Sequence, residues 1–187
     1  MVKGAPRALL VVDGYNVLFA DPRYQDLFDE PDGSVPERLG TDPFGRAREA
    51  LLADVAAYAQ HEYEAVIVYD GANNRGEHRP ETRRGGVREV FSRRGVSADT
   101  VIEGLVTEAR DSGRRVTVVT SDGTIQATVE GPGVTRVSSR MLVHEVAAMN
   151  RSIEREREER TWSRMSLEDR LDPETAAKLN ALLGRRV

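Results

Sequence analysis

Three short runs of apolar residues in this chain each lead into an aspartate. The runs cover residues 9–12, 65–69 and 116–120, and the carboxylates that follow them are Asp13, Asp70 and Asp122. Apolar runs of this length, bounded by turn residues, are typical of strands buried on both faces of a parallel sheet. Stretches with helical spacing separate the runs. The sequence therefore predicts an α/β fold with a central, mostly parallel sheet flanked by helices.

The segments between these strands have the apolar stripes of helices that cover a sheet. Residues 43–60 and the stretch that opens at Ser97 each repeat apolar side chains every three or four positions. We expect Ser97 to cap its helix, with Asp99 in the first turn, where the helix dipole favours a carboxylate. The other predicted elements are strands over 87–91 and 134–137, and a helix that begins at 138–139 and continues through the charged tract 151–160.

Two segments lie outside this alternation. Residues 21–41 contain three prolines and two glycines among polar residues, which predicts a long loop with one helical turn near 24–28. Residues 172–184 have the start and stop signals of a short helix. We therefore expect a main domain over residues 1–149 and a C-terminal helical extension over 150–187.

Composition narrows the class of protein. The 187 residues contain no cysteine, which excludes disulfides, thiol catalysis and cysteine-based zinc sites. No apolar run approaches membrane-spanning length and the first residues lack a signal-peptide core, so we expect a soluble, cytoplasmic protein. The net charge of −4 does not by itself favour nucleic acid, so any such binding depends on where the arginines lie.

The aspartates after the strands are the strongest candidates for a chemical role. Carboxyl ends of parallel strands meet at one edge of a sheet, so Asp13, Asp70 and Asp122 are expected to converge there, joined by Asp99 from a helix start. Clustered acids without histidine or cysteine suit a hard cation such as Mg²⁺ or Mn²⁺, the ions of metal-assisted nucleases. The alternative is structural. Asp99 and Asp122 could simply serve helix N-termini, whereas no helix start is evident after Asp13 or Asp70.

Two further features accompany the acids. Asn16 could orient a metal or phosphate ligand, or it could only stabilise a turn. A basic segment surrounds a pair of glycines at 85–86, and its arginines are Arg75, Arg79, Arg83, Arg84, Arg88, Arg93 and Arg94. Between two acid-bearing elements, such a segment would form a basic lip that contacts an RNA or DNA backbone. The alternative is a set of surface arginines in an arginine-rich chain.

The segments LLVVDGYNVL, VIVYDGANN, VFSRRGVSADTVIEGLV and VTVVTSDGTIQ occur in this order and resemble the NYN domain of the YacP-like group, which is related to PIN-domain nucleases. The resemblance implies a PIN-like three-layer fold with an acidic pocket that binds Mg²⁺ or Mn²⁺. It implies that Asp13, Asp70, Asp99 and Asp122 form this pocket with Asn16 beside them, and that Asp13, Asp99 and Asp122 hold the metal. Bacterial members look like ribosome-associated endoribonucleases that cut mRNA, so the implied partners are mRNA and the ribosome.

Two hypotheses for the function follow. The first is a metal-dependent endoribonuclease, and the second is a non-catalytic RNA- or ribosome-binding module that retains the fold. A haloacid-dehalogenase-like phosphatase is disfavoured, because Tyr15 stands where that chemistry needs a second aspartate and no lysine lies between Lys3 and Lys178. The sequence also lacks a glycine-rich dinucleotide fingerprint and a P-loop.

Overall fold

The structure is a computed structural model, and it describes residues 6–28, 43–60, 62–71, 81–164, 174–175 and 178. Its strands are β1 (Ala8–Asp13), β2 (Tyr63–Tyr69), β3 (Thr82–Arg84), β4 (Val87–Phe91), β5 (Val116–Val119) and β6 (Val134–Val137). Its helices are α1 (Gly14–Leu18), α2 (Pro22–Gln25), α3 (Gly45–Ala59), α4 (Ala98–Asp111), α5 (Gly123–Thr128) and α6 (Ser139–Arg164).

One mixed sheet contains all of the described strands, in the order β3-β4-β2-β1-β5-β6. β1 lies at its centre and pairs in parallel with β2 on one side and β5 on the other. β4 and β6 continue the parallel arrangement outward, and β3 is antiparallel to β4. The predicted α/β class with a mostly parallel sheet is therefore confirmed.

Helices pack on both faces of the sheet because successive strand residues point to opposite sides. On one face, Leu10 and Ile67 belong to a buried cluster with apolar side chains of α3 and with Leu142 of α6. On the other face, Val11 and Val66 pack with side chains of α4 and α5. Residues 9–13 of β1 are all buried, as expected for the central strand of a three-layer structure.

Several elements differ from the sequence-based expectation. α3 begins at Gly45, and Phe44 at its N-cap provides no side-chain hydrogen bond. The sequence pattern does not predict α1 or β3, and α2 occupies residues 22–25 where a turn near 24–28 is expected. The predicted helix over 172–184 lies largely outside the described residues.

Contacts divide the chain into two compact units, Met1–Val146 and Ala147–Val187. The described side chains of residues 151–161 in the second unit are all exposed, in agreement with the mixed-charge tract there. The domain boundary between residues 149 and 150 stays a prediction. Among the described residues, no helix is both long and apolar enough to cross a membrane.

Candidate active site

The parallel strands deliver the predicted aspartates to one edge of the sheet. Asp13 is the last residue of β1, Asp70 directly follows β2, and Asp122 lies just beyond β5. β1 pairs with both of the other strands, so the three chain segments are neighbours at their carboxyl ends. Asp99 lies in the first turn of α4, after the Ser97 cap that the sequence predicts. These four residues come from four different connections in the fold.

Asp13 is the most buried of these acids, at 8% exposure. Its Oδ1 accepts a hydrogen bond from the backbone N–H of Asn16 at 3.2 Å, and its Oδ2 accepts one from the Thr120 hydroxyl at 3.2 Å. Asp13 is therefore the N-cap of α1, and the expectation that no helix start depends on it is wrong. The cap uses one acceptor site on Oδ1, and a carboxylate oxygen offers about two, so capping does not prevent a second role.

Asp122 also caps a helix. Its Oδ1 accepts hydrogen bonds from the N–H groups of Thr124 at 2.7 Å and Ile125 at 3.4 Å, at the start of α5. Asp122 therefore serves a helix N-terminus, as the structural alternative for this residue expects. Its other carboxylate oxygen takes no part in this cap.

The electrostatics show that the acids act on one another. Burial raises the pKa of Asp13, and the negative charges of Asp99 and Asp122 raise it further, while the hydrogen bonds from Asn16 and Thr120 lower it. Burial likewise raises the pKa of Asp99, with further contributions from Asp122, Glu103 and Asp70. Carboxylates that raise one another's pKa are expected at an acidic metal site, because a bound cation would relieve this repulsion.

A cleft of about 610 Å³ opens over these residues. Its walls carry three of the four predicted aspartates together with aromatic, small and basic side chains: Asp13, Tyr15, Asn16, Phe19, Ala20, Asp70, Ala98, Asp99, Ser121 and Arg140. Asp122 is not among the lining residues, although its charge reaches both Asp13 and Asp99. The lining of the cleft therefore combines three carboxylates with one arginine.

The oxygen donors suit a hard divalent cation, but the described residues hold no ready-made coordination shell. Among them, no three carboxylate or histidine side chains are close enough together to hold one ion directly. Asp13 and Asp99 nevertheless line the same cleft, and both have a raised pKa. The residues therefore fit an ion bound partly through water, or bound after a small side-chain movement, as is common for Mg²⁺.

Asn16 connects three chain segments at the edge of the cleft. Its Oδ1 accepts hydrogen bonds from the Ser121 N–H at 2.8 Å and from the Ser139 hydroxyl at 2.6 Å. Ser139 is fully buried and also donates its N–H to the Ser121 hydroxyl at 3.1 Å. The Asn16 side chain therefore fixes the ends of β1, β5 and β6 against each other, whatever further contact its amide makes in the cleft.

Two of the arginines that the structure describes in the basic segment lie away from the acids. Arg83 and Arg84 lie on β3, whose register places Arg84 opposite Val87, the first residue of β4 and so at the amino edge of the parallel strands. There Arg83 pairs with Glu64 at 3.4 Å, and Arg84 pairs with Glu49 at 2.7 Å and with buried Glu89 at 2.9 Å. These two arginines face away from the carboxyl edge that holds the aspartates.

The remaining arginines are divided. Arg88 lies inside β4 and pairs with Glu81 at 3.5 Å, whereas Arg93 and Arg94 are exposed and follow β4 directly at the carboxyl edge. Arg75 and Arg79 lie outside the described residues. RNA binding by this segment stays a prediction, and Arg93 and Arg94 are its best-placed members.

The sequence pattern does not mark Phe19, Arg140 or Ser139 as members of the site. Phe19 follows the DGYN segment by three residues, and its spacing alone could have placed it near Asp13. Ser139 and Arg140 follow β6, which is an edge strand of the sheet, and no local sequence pattern indicates that they belong to the site. Thr120 directly follows β5, and the hydrogen bond from its hydroxyl to Asp13 places it beside the acid.

Comparison with known proteins identifies the group to which this arrangement belongs. The model of the YacP-like NYN domain matches residues 10–183. The protein YacP of Bacillus subtilis (strain 168) is 32% identical over 148 residues, which cover 79% of each chain. A crystal structure of Rae1 (YacP) from Bacillus subtilis matches with 28% identity and a TM-score of 0.63, covering 94% of this chain and 89% of that one.

A second Rae1 (YacP) structure from Bacillus subtilis, of a single-residue variant, gives the same TM-score of 0.63 at 27% identity, with 93% and 99% of the two chains covered. The expected fold, a mostly parallel sheet flanked by helices, is therefore confirmed and is similar to that of Rae1 (YacP). The family match together with this fold supports a function of the nuclease type. On the extent of the domain match and the agreement with YacP, this chain belongs to the YacP-like NYN domain family.

Proposed function

We propose that this protein is a metal-dependent endoribonuclease that hydrolyses RNA phosphodiester bonds at the acidic cleft. One observation carries the proposal: the carboxylates of Asp13, Asp70 and Asp99 line a single cleft, with Asp122 near enough to raise the pKa of two of them. A fold without catalysis has no need to gather these charges, since each raises the free energy of the others in the ionised state. Membership of a nuclease-type family supports the same conclusion.

The divalent ion would be held by Asp13, Asp99 and Asp122, directly or through water. When bound, Mg²⁺ or Mn²⁺ lowers the pKa of a coordinated water and neutralises charge on the phosphate. Asp13 is kept in one orientation by the Asn16 N–H and the Thr120 hydroxyl. Asp70 adds negative charge to the cleft wall from the end of β2.

Arg140 is the natural phosphate-binding group in this arrangement. It is exposed at the start of α6 and lines the cleft, and its guanidinium has no hydrogen bond or ion pair with another residue in the described part of the chain. Arginine binds phosphate oxygens through charge-assisted hydrogen bonds. A guanidinium in the same cleft as the acids would hold the RNA strand while the acids hold the ion.

The proposed substrate is mRNA engaged with the ribosome, as family resemblance implies. The second candidate is a non-catalytic RNA- or ribosome-binding module with the same fold. The gathered carboxylates favour the first candidate, because an acidic cleft repels a phosphate backbone unless a cation intervenes.

Removal of the divalent ion is expected to abolish cleavage. Labelled mRNA, free and ribosome-bound, is incubated with the protein in Mn²⁺, in Mg²⁺ and in excess EDTA. Cleavage should require the ion, should vanish in EDTA and should return when Mn²⁺ is restored, because the carboxylates alone repel the phosphate. Full activity in EDTA would contradict metal dependence. Salt-dependent RNA binding without cleavage under every condition would establish the second candidate instead.

A further inference from the structure

Phe19 is the most exposed of the large apolar side chains in the described residues, at 54%. A single exposed phenylalanine needs no functional explanation, because apolar atoms make up much of any protein surface. Its position is the second observation: the ring lines the same cleft as Asp13, Asp70, Asp99 and Arg140. An exposed aromatic side chain therefore lies in the same cleft as the acids and the arginine.

The ring is supported from behind by other aromatic side chains. Its centroid lies 5.4 Å from that of Phe28 and 5.7 Å from that of Phe44, in edge-to-face contacts, and 6.4 Å from that of Tyr15. Tyr15 in turn contacts Phe44 and the buried Tyr69 edge to face. Phe19 is thus the exposed end of an aromatic cluster that continues into the core, and this support limits its freedom to rotate away from the cleft.

We propose that Phe19 is a stacking platform for an unpaired RNA base next to the scissile phosphate. This inference rests on the proposed ribonuclease function and specifies its substrate as single-stranded at the cleavage position. An exposed aromatic face beside phosphate-binding groups is how proteins hold single strands, because every base has a π-face and stacking needs no particular sequence. A base within a duplex is already stacked on its neighbours and cannot meet the ring.

The charge pattern of the cleft supports this occupant over an apolar ligand or a protein segment. Acids and Arg140 line the same cleft as Phe19, and neither the carboxylates nor the guanidinium would gain from contact with an apolar partner that desolvates them. A nucleotide satisfies all three parts together: the base covers the ring, the phosphate meets the guanidinium, and an ion bridges the phosphate to the acids. Phe19 would then also set the position of the strand relative to the acids.

The test measures RNA binding separately from cleavage. Binding of a fluorescent 12-nucleotide single strand is measured in Ca²⁺, and cleavage is measured in Mn²⁺. We expect Phe19→Ala to weaken binding of the single strand by about tenfold, since one base stacked on an aromatic side chain contributes on this scale. Phe19→Trp should bind at least as tightly as the unmodified protein, and Phe19→Leu, which keeps the apolar bulk, should behave like Phe19→Ala.

Two controls complete the design. Ile153→Ala removes a 39%-exposed apolar side chain that is not among the residues lining the cleft, and should leave binding unchanged. A series of strands, each with one abasic position, should contain a member that binds weakly to the unmodified protein and equally weakly to Phe19→Ala, which identifies the stacked base. Thermal melting of each variant checks that the fold is retained.

The outcomes separate this inference from the proposed function. Equal binding by Phe19→Ala and the unmodified protein, equal affinity for single strand and duplex, or no RNA binding at all would overturn the stacking role. Phe19-dependent binding without cleavage in any metal would leave the stacking role standing and refute the nuclease. Metal-dependent cleavage that Phe19→Ala does not alter would support the nuclease and refute the stacking role.

Discussion

Replacement of Asp13 by asparagine is expected to reduce the rate of RNA cleavage by at least about a thousandfold while the fold stays intact. The asparagine amide oxygen still accepts the Asn16 N–H, and asparagine caps helices as well as aspartate does. The substitution therefore removes charge and a metal ligand with little change of shape. Removal of a buried negative charge among other carboxylates should not lower stability at neutral pH.

The measurement is kcat/KM on a single-stranded RNA in Mn²⁺, with thermal melting of the same samples. The matched control is Asp111→Asn, which changes an exposed aspartate at the last turn of α4, far along the helix from Asp99. We expect control activity equal to that of the unmodified protein. An Asp13→Asn variant that melts normally and cleaves at full rate would show that the acidic cleft is not the catalytic centre.

Replacement of Gly71 by alanine is expected to destabilise the fold by about 3 kcal/mol, because the added methyl group has no space. A Cβ at this position would meet the backbone oxygen of Ser92. Two hydrogen bonds hold these two segments together. The Gly71 N–H donates to the Ser92 hydroxyl at 2.8 Å, and the Ser92 N–H donates to the Tyr69 backbone oxygen at 2.9 Å. The backbone must therefore separate, and Asp70 moves with it.

Denaturant unfolding measures this effect, and Gly123→Ala is its control. Gly123 also follows an aspartate, yet a Cβ there meets nothing within 4 Å, and its φ is not positive. Its replacement should change the free energy of unfolding by no more than about 0.5 kcal/mol, since alanine suits a helix at least as well as glycine. Equal destabilisation by the two substitutions would mean that the close approach of Gly71 to Ser92 does not exist.

The glycines after Asp13 and Asp70 show what a sequence can and cannot reveal. The glycines that follow these two aspartates are not required by backbone conformation, because neither Gly14 nor Gly71 has a positive φ. Gly14 is required because a side chain there would collide with the ring of Tyr69, which is distant in the sequence. Contacts of this kind depend on which strands become neighbours, and local sequence does not contain that information.

The sequence itself contains a signal that divides the arginine segment. Gly85 and Gly86 have φ of +57° and +81° and join β3 to β4 in a tight hairpin. A glycine pair between two strand-forming stretches is a recognised hairpin signal. It reverses the chain direction, so Arg83 and Arg84, directly before the turn, lie toward the opposite edge from Arg93 and Arg94, which follow β4. A hairpin at this glycine pair therefore predicts that Arg83 and Arg84 lie apart from Arg93 and Arg94.

The aspartates could be predicted because each depends on a local pattern, an apolar strand or a capped helix. The residues that surround these aspartates could not be predicted in the same way. Ser139 and Arg140 reach the site only because β6 pairs beside β5, and the hydrogen bond from the Ser139 hydroxyl to Asn16 spans 123 positions. The sequence thus predicts the acids, whereas the tertiary fold determines which neighbours orient them.

Direct binding of Mn²⁺ tests the central claim, that these carboxylates form one ion site. Calorimetric titration at neutral pH compares the unmodified protein with Asp13→Asn and with the Asp111→Asn control, without RNA. We expect saturable binding in the unmodified protein and in the control, and at least a tenfold loss of affinity in Asp13→Asn, because the variant lacks a charged ligand at the centre of the cluster. Unchanged Mn²⁺ affinity in Asp13→Asn, or no binding to the unmodified protein, would contradict the account.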